Sequence, residues 1–153
     1  MTGRRRVLIV EGRFYEDLTD EIARGAGEIL GAAQVEYERL GVPGVFEVPA
    51  AIARVVRGTD KEGGKQFDGY IASGVVIRGE TDHYDHICRE ASRALMELAV
   101  DDGVPLGFGI LTCETMDQAR VRAAVDQKNK GADAARACLR MMELQDQFGK
   151  ASQ

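Results

Sequence analysis

"GVVIRGETDHYDHICRE" runs from Gly74 to Glu90 and holds both histidines of the chain. An apolar run ends at Ile77, and an Arg-Gly-Glu-Thr turn follows it. Behind the turn, Tyr84, Ile87, Ala91, Leu95 and Leu98 recur at three- and four-residue steps. This is the change of period from a buried strand to an amphipathic helix, with glycine at the join. The strand reads back through "FDGYIASGVVI" (Phe67–Ile77), and the helix opens with His83 on its first turn.

The same alternation recurs on both sides of this unit. "RVLIVEGRF" (Arg6–Phe14) is a continuous apolar run of the kind buried on both faces of a parallel sheet. "DLTDEIARGAGEIL" (Asp17–Leu30) carries a helical stripe, and "VEYERL" (Val35–Leu40) alternates like a strand. Pro49 fits the first turn of a short helix, "PAAIARVVR" (Pro49–Arg57), where its missing donor is harmless. The polar stretch Arg57–Gln66 is a loop, too short to divide domains. "LGFGILTC" (Leu106–Cys113) is a fourth strand. Thr115 with Gln118 predicts a capping box for a helix through about Ala124. A last helix is expected from Lys130 to Phe148, with Ala134, Cys138, Met141, Gln145 and Phe148 on one side. Four strands interleaved with helices imply crossover units, a four-stranded parallel sheet and helices on both faces.

The 153 residues are most simply one domain, 1–153, large enough for a core of its own. With 44% apolar and 29% charged residues the composition is that of a soluble globular protein. No apolar run approaches the ~18 residues of a membrane span, and the short N-terminus does not read as a signal peptide. The net charge of −5 argues against nucleic acid as a partner, because Arg4, Arg5 and Arg6 are a weak footprint, read here as a frayed, solvated end. The three cysteines, Cys88, Cys113 and Cys138, form no CxxC pair, which points to reduced thiols in the cytoplasm.

In open parallel sheets, ligands bind at the carboxyl ends of the strands, where Phe14, Gly79–His83 and Thr112–Thr115 all fall. The backbone N–H groups of Gly79, Glu80 and Thr81 open a helix and favour an anion, although a plain turn capped by Thr81 or Asp82 fits the same letters. His83 is poised for proton transfer near neutral pH, or is a surface histidine. His86 is three residues on, but no third clustered ligand argues for a metal site. In "VPGVFEVPA" (Val42–Ala50), Phe46 is either a presented stacking ring or core, with Glu47 beside it. Arg122 and Lys130 flank a polar run that either meets an anionic substrate or is solvated loop.

Taken together, "VPGVFEVP" (42–49), "GVVIRGETDHYDHIC" (74–88), "GVPLGFGILT" (103–112) and "NKG" (129–131) resemble the 6,7-dimethyl-8-ribityllumazine synthase family over nearly the whole chain. The resemblance implies a three-layer, flavodoxin-like α/β sandwich. It also implies condensation of 5-amino-6-(D-ribitylamino)uracil with 3,4-dihydroxy-2-butanone 4-phosphate, without cofactor or metal. By motif position His83 matches the catalytic histidine, Glu80 and Thr81 the phosphate cradle, and Arg122 its neutralising cation. Phe14 would stack on the pyrimidine, while Val45, Phe46 and Glu47, with Val75, Val76 and Ile77 alongside, would bind its ring and ribityl chain. Phe108 would reach in from a neighbouring subunit, and Lys130 would lend electrostatic support. Glu80 stands where many members have a small residue, so its carboxylate is expected to turn away from phosphate. The short arm before Arg6 and the turn "AAVDQKNKG", which lacks a usual glycine, favour a homopentamer over a sixty-subunit shell. Two alternatives stay open: a binding protein of the same fold, and an unrelated flavodoxin-like phosphate-binding domain, in which the two-proline segment has no place.

Overall fold

The computed structural model describes residues 3–58 and 66–149, so the inner part of the expected loop, 59–65, lies outside the described residues. The elements are β1 (Arg6–Gly12), α1 (Glu16–Ala32), β2 (Glu36–Val42), a short 3-10 turn (Val45–Glu47), α2 (Val48–Gly58) and β3 (Gly69–Ile77). They continue through α3 (His83–Val100), β4 (Leu106–Cys113), α4 (Met116–Ala123) and α5 (Lys130–Phe148). The four strands form one parallel sheet in the order β2-β1-β3-β4.

Alternation along the central strands divides the core between two faces. Leu8, Val10, Tyr70 and Ala72 pack under α2 and α3 against Val48, Ile52, Leu95 and Leu98. Val7, Ile9 and Ile71 face α1 and α5, meeting Ala26, Leu30, Ala134 and Cys138. Toward the carboxyl end, Val75 and Leu111 meet Ile22 of α1 and Ala119 and Ala123 of α4. Burying such aliphatic side chains stabilises the fold by roughly 1.5–3 kcal/mol apiece. At this end the backbone closes up over two glycines. A Cβ on Gly12 would lie 2.6 Å from the Gly44 carbonyl carbon, and one on Gly74 would lie 2.5 Å from Val45 Cγ2. The segment carrying Val45–Glu47 can therefore settle directly on the ends of β1 and β3.

Three expectations are corrected. Arg4–Arg6 are not a frayed basic end: Arg6 begins β1 and pairs with Glu38, Arg5 reaches Asp146 (2.7 Å) and Asp68 (3.3 Å), and Arg4 lies 3.7 Å from Glu36. Acidic residues gathered from β2, the approach to β3 and α5 explain the difference. The buried face of α5 runs through Gly131, Ala134, Ala135, Cys138 and Met142, whereas Met141 and Phe148 are exposed. The helix sits close on β4 and α1 through small residues, which rotates the apolar stripe by about one position. The capping box of α4 is half formed: Thr115 Oγ1 accepts from the Gln118 N–H (3.1 Å), but Gln118 Oε1 accepts from Glu114 N–H (2.8 Å).

Candidate active site

The carboxyl ends of β1 and β3 open on a cavity of about 730 Å³. Phe14 enters from the β1–α1 turn, and Val45, Phe46 and Glu47 come from the 3-10 turn. Val75, Val76 and Ile77 form the floor, and His83 stands on the first turn of α3. Phe14 and Phe46 are 74% and 56% exposed, so both rings are held out of the core. Such rings, with apolar neighbours and a few polar groups, suit a flat heteroaromatic ligand. Phe46 thus stands with the presented-ring alternative, while its neighbour Val45 is the core residue.

Local hydrogen bonds account for the shape of the rim. Glu47 Oε1 accepts from the Gly44 N–H (2.9 Å), closing the turn between the two prolines. Thr81 Oγ1 accepts from the His83 N–H (3.3 Å), so Thr81 supplies the side-chain cap of α3, and Asp82, at the N-cap position, makes no cap bond of its own. Glu80 and Thr81 are both exposed on this turn.

Tyr15, His86 and Ile87 also line the cavity, and sequence reasoning had not assigned them to it. Ile87 and His86 are one helical turn from His83, a spacing that could have found them. Tyr15 packs edge-on against Phe14, with centroids 4.9 Å apart at 81°. His86 Nε2 is 3.3 Å from Asp82 Oδ2. Among the described residues no group of three or more His, Cys, Asp or Glu is arranged to hold a metal ion.

Five of the expected site residues are not among those lining this cavity: Glu80 and Thr81 lie on the turn ahead of α3, and the other three stand elsewhere. Phe108, Arg122 and Lys130 share another, smaller cavity of about 380 Å³ beside β4 and α5, with Thr112 and Asp133. Arg122 donates to the Gln118 carbonyl (3.2 Å), and Lys130 Nζ lies 3.4 Å from Asp133 Oδ2. Phe108 is 49% exposed on a strand at the edge of the sheet. Just past the end of β3, Arg78 ties that strand end to its neighbours. Its guanidinium bonds Glu114 (3.1 Å) and Asp85 (3.2 Å) and lies 4.3 Å over the Tyr84 ring. The two carboxylates, Glu114 foremost, raise its pKa further above its already high ordinary value. Burial pushes the Cys113 and Cys88 thiols up, which makes both poor nucleophiles.

Among the described residues no helix is long and apolar enough to cross a membrane. The sequence pattern of the 6,7-dimethyl-8-ribityllumazine synthase family matches residues 4–146. The chain is 50% identical over 143 residues to 6,7-dimethyl-8-ribityllumazine synthase 1 of Rhizobium meliloti, covering 94% of this chain and 93% of that one. It is 48% identical over 143 residues to the 6,7-dimethyl-8-ribityllumazine synthase of Agrobacterium fabrum, covering 94% and 96%. Against the enzyme of the same name from Nitrobacter hamburgensis it is 47% identical over 146 residues, covering 95% and 89%. Fold, motif order and these relatives agree, and the chain belongs to the 6,7-dimethyl-8-ribityllumazine synthase family.

Proposed function

We propose that this chain condenses 5-amino-6-(D-ribitylamino)uracil with 3,4-dihydroxy-2-butanone 4-phosphate to 6,7-dimethyl-8-ribityllumazine, releasing phosphate and water, in riboflavin biosynthesis. Family membership supports the reaction. The observation that carries it to this chain's own residues is the convergence of two exposed phenyl rings and His83 on one apolar cavity.

The reaction is a sequence of proton movements. The uracil's 5-amine attacks the ketone and water leaves as the imine forms. Phosphate is then eliminated, the enol left behind tautomerises to a ketone, and the ribitylamino nitrogen attacks that carbonyl, expelling a second water as the ring closes. None of these steps changes the total oxidation state, so orientation and a proton carrier are sufficient catalysts. Phe14 stacks on the pyrimidine, and Phe46 and Glu47 with Val45 bind its ring and ribityl chain against Val75–Ile77. His83 carries protons at the reacting carbons. The N–H groups of Glu80 and Thr81 meet the phosphate at the start of α3, where the helix dipole favours an anion.

Arg122, Lys130 and Phe108 line a separate cavity in the same chain, and this supports a site completed between copies. In this reading the edge of β4 docks against a neighbour's cavity, bringing Phe108 to the pyrimidine and Arg122 and Lys130 to the phosphate. Repeating one heterologous contact closes a ring, and we favour five subunits. The chain acts as a single domain in the cytoplasm, with small molecules and its own copies as partners.

One assay tests the activity. The two substrates, mixed with the purified protein, are expected to yield lumazine fluorescence; no product above the uncatalysed rate overturns the reading. Light scattering tests the assembly, and a particle near the mass of sixty chains counts against the pentamer.

A further inference from the structure

Glu11 is a carboxylate only 1% exposed, and no step of the proposed reaction uses it. It stands in β1, two residues before Arg13, where the β1–α1 turn begins, and on the α1 side of the sheet. Two guanidinium groups neutralise it. Arg39 of β2 grips it with two donors, Nε to Oε2 (2.5 Å) and Nη2 to Oε1 (2.9 Å). Arg13 Nη1 donates to Glu11 Oε1 at 2.6 Å. Both arginines then share Asp20 of α1, Arg13 at 3.0 Å and Arg39 at 2.7 Å. Arg13 also reaches Thr19 Oγ1 (3.3 Å) and Glu16 (3.5 Å), while its backbone N–H donates to the Val42 carbonyl (2.9 Å).

These contacts hold residue 13 by both backbone and side chain. On the far side of Phe14, the Tyr15 carbonyl accepts the Thr19 N–H (3.1 Å) as α1 begins. The exposed Phe14 ring therefore hangs between two anchored residues, with Tyr15 packed edge-on against it. A ring held this way is oriented before the ligand arrives, and less freedom is lost on binding. A buried charge needs close pairing in any case, so stability alone would account for Arg39. It does not account for Arg13, since Glu11 is already gripped at both oxygens without it.

We infer that Glu11 and Arg13 are positioning residues for Phe14: the buried carboxylate fixes the arginine, and the arginine fixes the turn that aims the ring at the pyrimidine. The inference rests on the proposed stacking role of Phe14. The decisive variant is Arg13→Ala in the full chain, which keeps Glu11 paired to Arg39 and so should fold. Its KM for the ribitylaminouracil should rise about tenfold, with kcat and the KM for the butanone phosphate within about twofold of the parent. Phe14→Leu should raise the same KM, and the double variant should be no worse than Phe14→Leu alone, because both changes act through one ring. Glu11→Gln should move the same constant in the same direction, provided its circular dichroism matches the parent. An unmoved KM in Arg13→Ala, or fold-changes that multiply fully in the double variant, overturns the inference while leaving the stacking role intact. An unmoved KM in Phe14→Leu overturns both.

Discussion

The cavity at the ends of β1 and β3 and the one beside β4 differ in how they are built. The larger one, at the ends of β1 and β3, is walled by apolar side chains and closes on glycine contacts at Gly12 and Gly74. The smaller one beside β4 is more polar and carries its charge on exposed or half-buried side chains, Arg122, Lys130 and Asp133. The first can orient a flat ring by itself. The second offers cations on exposed or half-buried side chains, and cations so placed bind phosphate weakly unless another surface excludes water. The contrast teaches that one chain holds two halves of different chemistry, one for stacking and proton transfer and one for charge.

Substitutions on either side should separate the halves kinetically. His83→Ala is expected to lower kcat by about 100-fold, toward the lower end of general acid–base effects, with both KM values little changed. Arg122→Ala should act chiefly through the KM of the phosphorylated substrate. Steady-state kinetics with each substrate varied in turn checks this, and equal effects of both changes on every constant would erase the distinction.

Mixing sharpens the comparison further. If the halves meet between copies, co-refolding His83→Ala with Arg122→Ala, assayed with butanone phosphate too dilute for Arg122→Ala alone to turn over appreciably, should regain about one quarter of parental activity, because half of the cavities and half of their neighbours are intact. Activity no higher than the mean of the separate variants means that each site is built within one chain.

The smaller effects concern support. Gly12→Ala forces a methyl group into the Gly44 backbone and should destabilise the fold by about 1–3 kcal/mol, read by urea unfolding. A change of that size would identify the large cavity as the rigid half. Thr115→Ala removes the hydroxyl that caps α4, the helix bearing Arg122, and should cost about 1 kcal/mol. It is also expected to raise the phosphate-substrate KM slightly without moving kcat.

Much of the fold was legible in the residues because strand and helix periods alternate cleanly. Leu106–Cys113 and Lys130–Phe148 begin and end as expected, since Pro105 and the "NKG" turn mark them chemically. The misjudged face of α5 has a physical cause. Its packing rests on Gly131, Ala134 and Ala135, small residues whose value lies in close approach, whereas the pattern gave weight to the bulky Met141 and Phe148. The arginines at 4–6 were misread because their partners, Glu36, Glu38, Asp68 and Asp146, are scattered through the chain.

Local sequence by itself determined the parallel α/β sandwich, the family, and the strand-turn-helix that offers His83 beside Thr81. These depend on neighbours a few residues apart, where period, turn chemistry and helix capping act directly. Only the tertiary structure decided that Phe46 is presented and Val45 buried, that Tyr15, His86 and Ile87 join the cavity wall, and that Arg122 and Lys130 stand apart from it. Those outcomes turn on which strand ends lie side by side. The order β2-β1-β3-β4 sets β1 and β3 together around one cavity and leaves β4 at an edge, and the strand order is a property of the packed sheet as a whole.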